Sequence, residues 1–425
     1  MKHSTRIRLN GAALVVVATV VWAVLAASCL IFGGRSAWAK DLIVGERLKL
    51  TPEVVVRETY DDNIYLTDSD EVDDFITTVF PSLDAQFAFS PRARLGLLYS
   101  GAFDFYADAD NFKTGNNYGN LRFEYDTPKG SSIELGAWGL DSAIQPYAVD
   151  DRYKPYDIWA LYADVNYVFS EITEFFGNVH HSVRRFDDTR DIDDDYDRDF
   201  FAVGMVNARA SLFPWLLEYR YETQVNDQVP NVRTELDAQS AYTGFKWGQD
   251  RRLSGTLRVG YLWSDYNDAN AYDGWATDTE LDYRIGGFTT LGLIARRGVR
   301  ESTLADRDTL DYYIYEGAGL SLSYTRLDPI DLYLTGGYEN RDYRSTTAGA
   351  GEREDDYYIA SLTASYRLTD LVSFSLGYVY RKNNSTQQAL YGYTDNRVLA
   401  EITLFSGGEL RRRRLPEDPD RIRFF

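Results

Sequence analysis

The sequence predicts an all-β protein, a transmembrane antiparallel up-and-down β-barrel of about eighteen strands, with sixteen as the alternative count. Three observations carry this. Apolar and polar residues alternate over segments of ten to sixteen residues, short connections alternate with long acidic ones, and an export leader is followed by no apolar run long enough to make a membrane helix.

The leader comes first. Lys2, Arg6 and Arg8 precede an apolar run from Gly11 to Phe32, and Ala37-Trp38-Ala39 offers small residues for cleavage before Lys40. That order is the pattern of a secretory signal peptide. The expected organisation is a leader over residues 1–39 cleaved near Ala39, a periplasmic segment over 40–51, a barrel over 52–405 and a tail over 406–425. The one cysteine, Cys29, lies inside the leader, so the mature chain has no thiol for a disulfide, a zinc site or a nucleophile. A lipoprotein reading fails on Ala26, which stands where a bulky aliphatic residue is wanted.

The strands follow from period-two patterning. Leu253, Gly255, Leu257, Val259, Tyr261 and Trp263 share one face, with Ser254, Thr256, Arg258, Gly260 and Ser264 on the other. The same alternation sets Leu95, Leu97, Tyr99, Phe103 and Phe105 against Arg94, Ser100 and Asp104. It recurs in 360–368 and 372–381, where Ser361, Thr363, Ser365, Arg367, Ser373, Ser375 and Arg381 form the polar side. Segments open near residues 52, 74, 92, 116, 131, 156, 173, 198, 214, 232, 251, 273, 288, 309, 329, 354, 371 and 390.

Tight turns are expected at 90–92, 127–130, 170–171, 213–214, 248–250, 286–287, 327–329 and 368–370, each holding the Pro, Gly, Asp or Ser that turns favour. Between them fall longer polar connections at 61–73, 107–116, 146–155, 187–198, 226–231, 266–274, 301–308, 344–353 and 384–390. Short periplasmic turns with long acidic extracellular loops are the asymmetry of an outer-membrane barrel. Soluble sandwiches and propellers use strands of about 5 to 6 residues, shorter than these segments.

Composition bounds the chemistry. Without the leader, 41 Lys and Arg stand against 65 Asp and Glu, a net charge of about −24, which repels nucleic acid. Charged positions on the polar strand faces point into a wide aqueous lumen. These are Arg94, Asp104, Arg122, Glu124, Glu218, Arg220, Glu222, Lys246, Arg258, Asp278, Glu280, Asp282, Arg284 and Arg367, and the lumen is expected to be net acidic. Tyrosines near segment ends, Tyr60 and Tyr65, Tyr153 and Tyr156, Tyr312 and Tyr313, Tyr357 and Tyr358, are expected to form interfacial girdles.

One loop is dense in acid: Asp187, Asp188, Asp191, Asp193, Asp194, Asp195, Asp197 and Asp199. A calcium loop would need Gly at Tyr196 and Glu at Ala202, so a solvated surface loop is expected instead. His180 and His181 are neighbours on a strand and face opposite sides, a poor arrangement for one metal or for a catalytic pair. The residues indicate neither an enzyme nor a cofactor.

The stretch Arg57-Glu58-Thr59-Tyr60-Asp61-Asp62-Asn63-Ile64-Tyr65-Leu66-Thr67, followed by Asp74-Phe75-Ile76-Thr77-Thr78-Val79-Phe80-Pro81-Ser82-Leu83, resembles the opening of the putative β-barrel porin 2 family. The motif covers the first two strands, and no family site residues come with it. The resemblance implies an outer-membrane barrel of a kind often encoded beside exopolysaccharide synthesis and export. The chain departs from the usual barrel ending: Phe405 closes the last strand, yet Arg411–Arg414 and a terminal Phe424-Phe425 follow. Either aromatic end could be what the assembly machinery reads.

Transport through an aqueous channel is the expected function, with surface-polysaccharide export as the cargo the resemblance implies. A surface-exposed structural or adhesive barrel that binds a partner through its long loops is the alternative, and a lipid-modifying barrel enzyme using His180 and His181 is a third reading. Expected partners are outer-membrane lipid and lipopolysaccharide, the barrel-assembly machinery and periplasmic polysaccharide-export components.

Overall fold

The computed structural model describes residues 42–44 and 47–405, apart from 110–114, 145–153, 189–194, 208–211, 229–231, 249–250, 267–269, 302–311, 345–352 and 370. The expected leader (1–39) and tail (406–425) lie outside the described residues. A short strand β1 (Leu42–Val44) precedes the wall strands β2 (Leu48–Asp61), β3 (Asp74–Ser90), β4 (Ala93–Tyr106), β5 (Asn116–Asp126), β6 (Ser132–Ile144) and β7 (Lys154–Val168). Next come β8 (Thr173–Phe186), β9 (Tyr196–Asn207), β10 (Trp215–Gln228), β11 (Val232–Trp247), β12 (Leu253–Tyr266) and β13 (Asn270–Ile285). The wall ends with β14 (Thr289–Glu301), β15 (Tyr312–Leu327), β16 (Ile330–Arg344), β17 (Arg353–Arg367), β18 (Val372–Ser385) and β19 (Tyr393–Phe405). A single helical turn, α1 (Gln388–Tyr391), sits in the last connection.

Each wall strand pairs antiparallel with the next, and β19 pairs with β2, so the eighteen wall strands form a closed sheet. Closure gives every wall strand a hydrogen-bonded neighbour on both sides, as hydrocarbon requires. Strand lengths from 11 residues in β5 to 17 in β3 suffice to cross a bilayer at a tilt.

All eighteen expected segments are present. The first begins at Leu48 rather than 52, because β1 pairs with Leu48–Leu50 and extends the ladder below the point where β19 ends opposite Glu53. Several connections differ from expectation. β9 begins at Tyr196, so Asp197 and Asp199 belong to a strand and not to the acidic loop. Strands β10 to β13 run past the expected limits, leaving only 229–231 and 267–269 between them in place of the long connections 226–231 and 266–274. Conversely, 208–214 is longer than a tight turn. In each case ladder hydrogen bonds carry a strand beyond, or stop it short of, the end that polarity marks, because both faces are already wet at the rim.

The seam between first and last strands is stitched by side chains. Arg57 pairs with Glu401 (2.8 Å) and Arg397 with Asp61 (2.7 Å). Asp62 accepts from the Asn396 backbone N–H (2.7 Å) and from its Nδ2 (2.8 Å), and Asn63 Nδ2 donates to the Thr394 carbonyl (2.8 Å). The Arg57–Asn63 motif is thus the clasp of the barrel.

Outward positions carry the membrane face. Leu121, Leu161, Val179, Val259, Leu320, Leu362 and Leu376 are exposed in its middle band. Near the short-turn ends lie Tyr125, Tyr167, Trp247, Tyr283 and Tyr366, and toward the other rim Trp159, Trp263, Trp275, Tyr338 and Tyr358. Two aromatic girdles flanking an aliphatic band are what a bilayer selects. Of the tyrosine pairs expected there, Tyr60 and Tyr358 face outward, whereas Tyr156, Tyr313 and Tyr357 are buried on the inner face. Adjacent residues on a strand cannot share a face. Tyr312 is also buried, against Leu236 and Tyr266, Tyr65 packs beside Ile64 and Ile76, and Tyr153 lies outside the described residues.

Candidate functional site

Arg94 on β4 and Arg258 on β12 line one cavity of about 660 Å³, and strands so far apart in the wall can share a space only inside it. Partners across a ladder share a face, so the register fixes the inner positions around the ring.

The same cavity is lined by Glu124, Glu218, Arg220 and Lys246. Arg122 pairs with Glu124 (2.9 Å), Arg94 with Glu124 (3.1 Å) and Asp126 (2.9 Å), and Glu222 with Arg198 (2.5 Å). Asp104 accepts from the Thr78 hydroxyl (2.6 Å). Glu280, Asp282 and Arg284 lie opposite Thr256, Ser254 and Thr290 on the inner register, and Arg367 lies opposite Ser373. These four are exposed near the short-turn end. Of the acidic-loop residues, Asp195 is buried and accepts from the Phe186 N–H (2.6 Å). Asp187 and Asp188 follow β8, while Asp191, Asp193 and Asp194 lie outside the described residues. Asp197 and Asp199 face outward, bonded to Arg185 and His181.

The densest contacts are between Glu218, Arg220, Arg258, Asp278 and Arg296. Glu218 accepts from Arg220 (2.5 Å) and Arg258 (2.7 Å), and Asp278 accepts from Arg220 (2.8 Å) and lies 3.6 Å from Arg296. These five side chains come from β10, β12, β13 and β14. The β12–β13 ladder is interrupted between Thr256↔Glu280 and Val259↔Thr277. Beside the gap Gly255 holds φ +111°, and a Cβ there would overlap the Glu280 carbonyl.

On the inner register the Arg and Lys side chains nearly match the Asp and Glu in number, so the lining is charge-balanced and not net acidic as expected. The acid excess sits in the connections, where 62–73 alone holds Asp62, Asp68, Asp70, Glu71 and Asp73, and on outward strand positions such as Asp141, Asp157, Asp197, Asp199 and Asp273. A half-buried carboxylate on the wall needs a partner, whereas a loop carboxylate has water. Asp61, Asp62 and Asp395 approach closely enough to suggest a metal site, but Arg397 and Arg381 already pair with Asp61 and Asp395.

Residues that the patterning missed include Glu134, Asp164, Glu174, Phe176, Asn178 and Phe200, which line the cavity beside the expected set. Strands β7 to β9 carry aromatic side chains on both faces and β6 sets Trp138 and Leu140 on its inner one, so polarity alternates weakly there and the inner face is visible only through the register. The opposite stretch of wall, β15 to β18, is different. From mid-height toward the short turns its inner face carries chiefly Gly319, Ser321, Thr335, Gly337, Ser361, Thr363, Ser365, Ser373 and Ser375, with hydroxyl pairs Thr335–Ser361 (2.6 Å) and Ser365–Ser375 (2.9 Å), whereas Glu339, Arg341, Arg353, Asp355 and Arg381 line it nearer the long-loop rim.

The family model for "Putative beta-barrel porin 2" matches residues 47–405, the whole wall. The chain belongs to that family. As a family member it is a porin-like channel protein of the bacterial outer membrane, and its closed, water-lined barrel is the structure such a role requires. No curated protein matches the sequence. Among solved structures it is similar to OccK2 (OpdF) of Pseudomonas aeruginosa, at 12% identity over 84% of this chain and 98% of that one, TM-score 0.47. It is also similar to the siderophore receptor PirA of Pseudomonas aeruginosa (9%, 84% and 80%, TM-score 0.43) and to OccAB3 of Acinetobacter baumannii (10%, 84% and 99%, TM-score 0.42).

Proposed function

We propose that this porin-family barrel passes saccharide chains across the outer membrane and serves the export of a surface polysaccharide. The observation that carries the reading is the smooth, hydroxyl-bearing middle of β15 to β18, which faces a stretch of wall crowded with charged and aromatic side chains. Small side chains leave width on one side. Their hydroxyls exchange hydrogen bonds with a moving sugar at little cost, since each bond lost is replaced by another.

In this reading the leader is removed before Lys40, the barrel is inserted by the assembly machinery among lipid and lipopolysaccharide, and periplasmic export components deliver the polymer to the short-turn end. The barrel serves as a conduit and performs no covalent step. The test is single-channel recording of the refolded chain from Lys40 in planar bilayers, with neutral maltohexaose or short dextran added to one side. Brief, concentration-dependent interruptions of the current support passage or residence of saccharide. A conducting barrel whose current neutral oligosaccharides of every length leave untouched would overturn it.

A further inference from the structure

The cavity between β4 and β12 shows more than room for a solute. Its cations are already engaged: Arg94 by Glu124 and Asp126, Arg220 and Arg258 by Glu218 and Asp278, and Lys246 by Glu174 (3.8 Å) and the Phe176 ring (5.1 Å). Its anions are not all engaged. Glu134 accepts from the Tyr162 hydroxyl (2.9 Å) and Asp164 from Asn178, and among the described residues no Arg or Lys nitrogen pairs with either carboxylate.

The recess therefore presents hydrogen-bond acceptors in want of donors, together with two negative charges. Next to these lie the partly exposed rings of Phe176 and Phe200. Phe176 is fixed in place because it lies against Gly204 on β9, where a Cβ would collide with the ring. A ligand that fits offers many donors, an apolar C–H face for a ring to stack on, and no negative charge. At about 660 Å³ the cavity is within the roughly 300–1,000 Å³ range of small-molecule sites.

Resting on the saccharide reading above, we infer that this recess is a sugar-binding subsite that favours amine-bearing hexosamine units over neutral ones and excludes uronates. Glu134 and Asp164 take the ammonium and adjacent hydroxyls, and Phe200 supplies the stacking surface.

The experiment is isothermal titration calorimetry of the refolded chain in detergent micelles with three probes: the glucosamine trimer, the N-acetylglucosamine trimer and the galacturonate trimer. The glucosamine trimer is expected to bind about fivefold tighter than the N-acetyl trimer, with galacturonate undetected, the preference shrinking as salt rises from 0.05 to 0.5 M. Glu134→Gln with Asp164→Asn should bring the first two probes to within about twofold while N-acetyl binding persists. Because the salt series uses the unaltered chain, the inference stays open to refutation even if the double variant fails to fold.

Absence of binding by all three probes, or a preference unchanged by salt, would overturn the subsite. Conductance on the same preparation separates the two claims. A barrel that oligosaccharides interrupt but that shows no such preference loses the subsite and keeps the channel reading. One that binds the glucosamine trimer yet never conducts loses the passage and keeps the subsite.

Discussion

Two walls of one barrel solve the same problem, lining water, in opposite ways. From β4 to β14 the inner face carries many long charged side chains, most of them paired with one another, with Glu218, Arg220, Arg258, Asp278 and Arg296 as the densest group. From β15 to β18 the middle of the inner face is built of Gly, Ser and Thr, whose short hydroxyl pairs fill almost nothing, while Tyr313, Glu339, Arg341, Arg353, Asp355, Tyr357 and Arg381 lie nearer the long-loop rim. At mid-height the first wall crowds the lumen with charged side chains, and the second sets the free width. Charge on a wall is therefore tied to bulk, since a half-buried ion needs a partner long enough to reach it.

The largest effect should come from filling the smooth wall. The double variant Ser361→Trp with Gly337→Trp is expected to lower single-channel conductance by roughly half or more, with the barrel still folded by its heat-modified gel mobility. An unchanged conductance would mean that the width is set elsewhere. On the crowded wall the expected loss is in stability. Glu218→Ala leaves Arg220 and Arg258 without their shared carboxylate and should cost about 2 kcal/mol in guanidinium unfolding from lipid. The matching deletion on the smooth wall, Ser365→Ala, breaks one hydroxyl pair and should cost at most about 1 kcal/mol. If the two losses are equal, the walls do not differ in the way described.

A smaller effect is expected at the seam. Arg57→Ala removes a partly exposed pair with Glu401 and should cost about 0.5 to 1 kcal/mol, read in the same unfolding assay. The smallest concerns ion selectivity. With a balanced lining, reversal potentials should show only weak cation preference. Replacing Asp68, Asp70, Glu71 and Asp73 by Asn or Gln should reduce that preference at 0.1 M salt and leave it unchanged at 1 M, where the screening length is about 3 Å. Strong cation selectivity persisting at high salt would restore charge to the lining itself.

Much of the fold was legible in residue order. Period-two alternation placed eighteen segments, and Ser361, Thr363, Ser365, Ser373 and Ser375 were recognisable as one polar face before any pairing was known. The same alternation misled at Tyr156, Tyr313 and Tyr357, because a tyrosine suits a lipid girdle and a wet inner wall equally well. It also failed over β6 to β9, where apolar and aromatic side chains on the inner face hide the acceptors Glu134 and Asp164. The loop boundaries at Tyr196, Gln228 and Tyr266 were misplaced for a related reason: beyond the bilayer both faces of a strand are solvated, and polarity no longer marks where pairing ends.

By itself the sequence determined what depends on one strand and its surroundings: membrane-spanning length, the apolar outer face, turn positions, and a total charge too acidic for nucleic acid. Only the tertiary structure decided what depends on which strands lie side by side. It joined β2 to β19 through Arg57, Asp61 and Asp62, gathered Glu218 with Arg258 and Asp278 into one network, and showed the lining to be nearly balanced in charge while the acid excess lies in the loops and on outward strand positions. Composition records how many charges a chain has. Whether each meets a partner is settled by register and closure, which bring residues hundreds of positions apart to within a hydrogen bond.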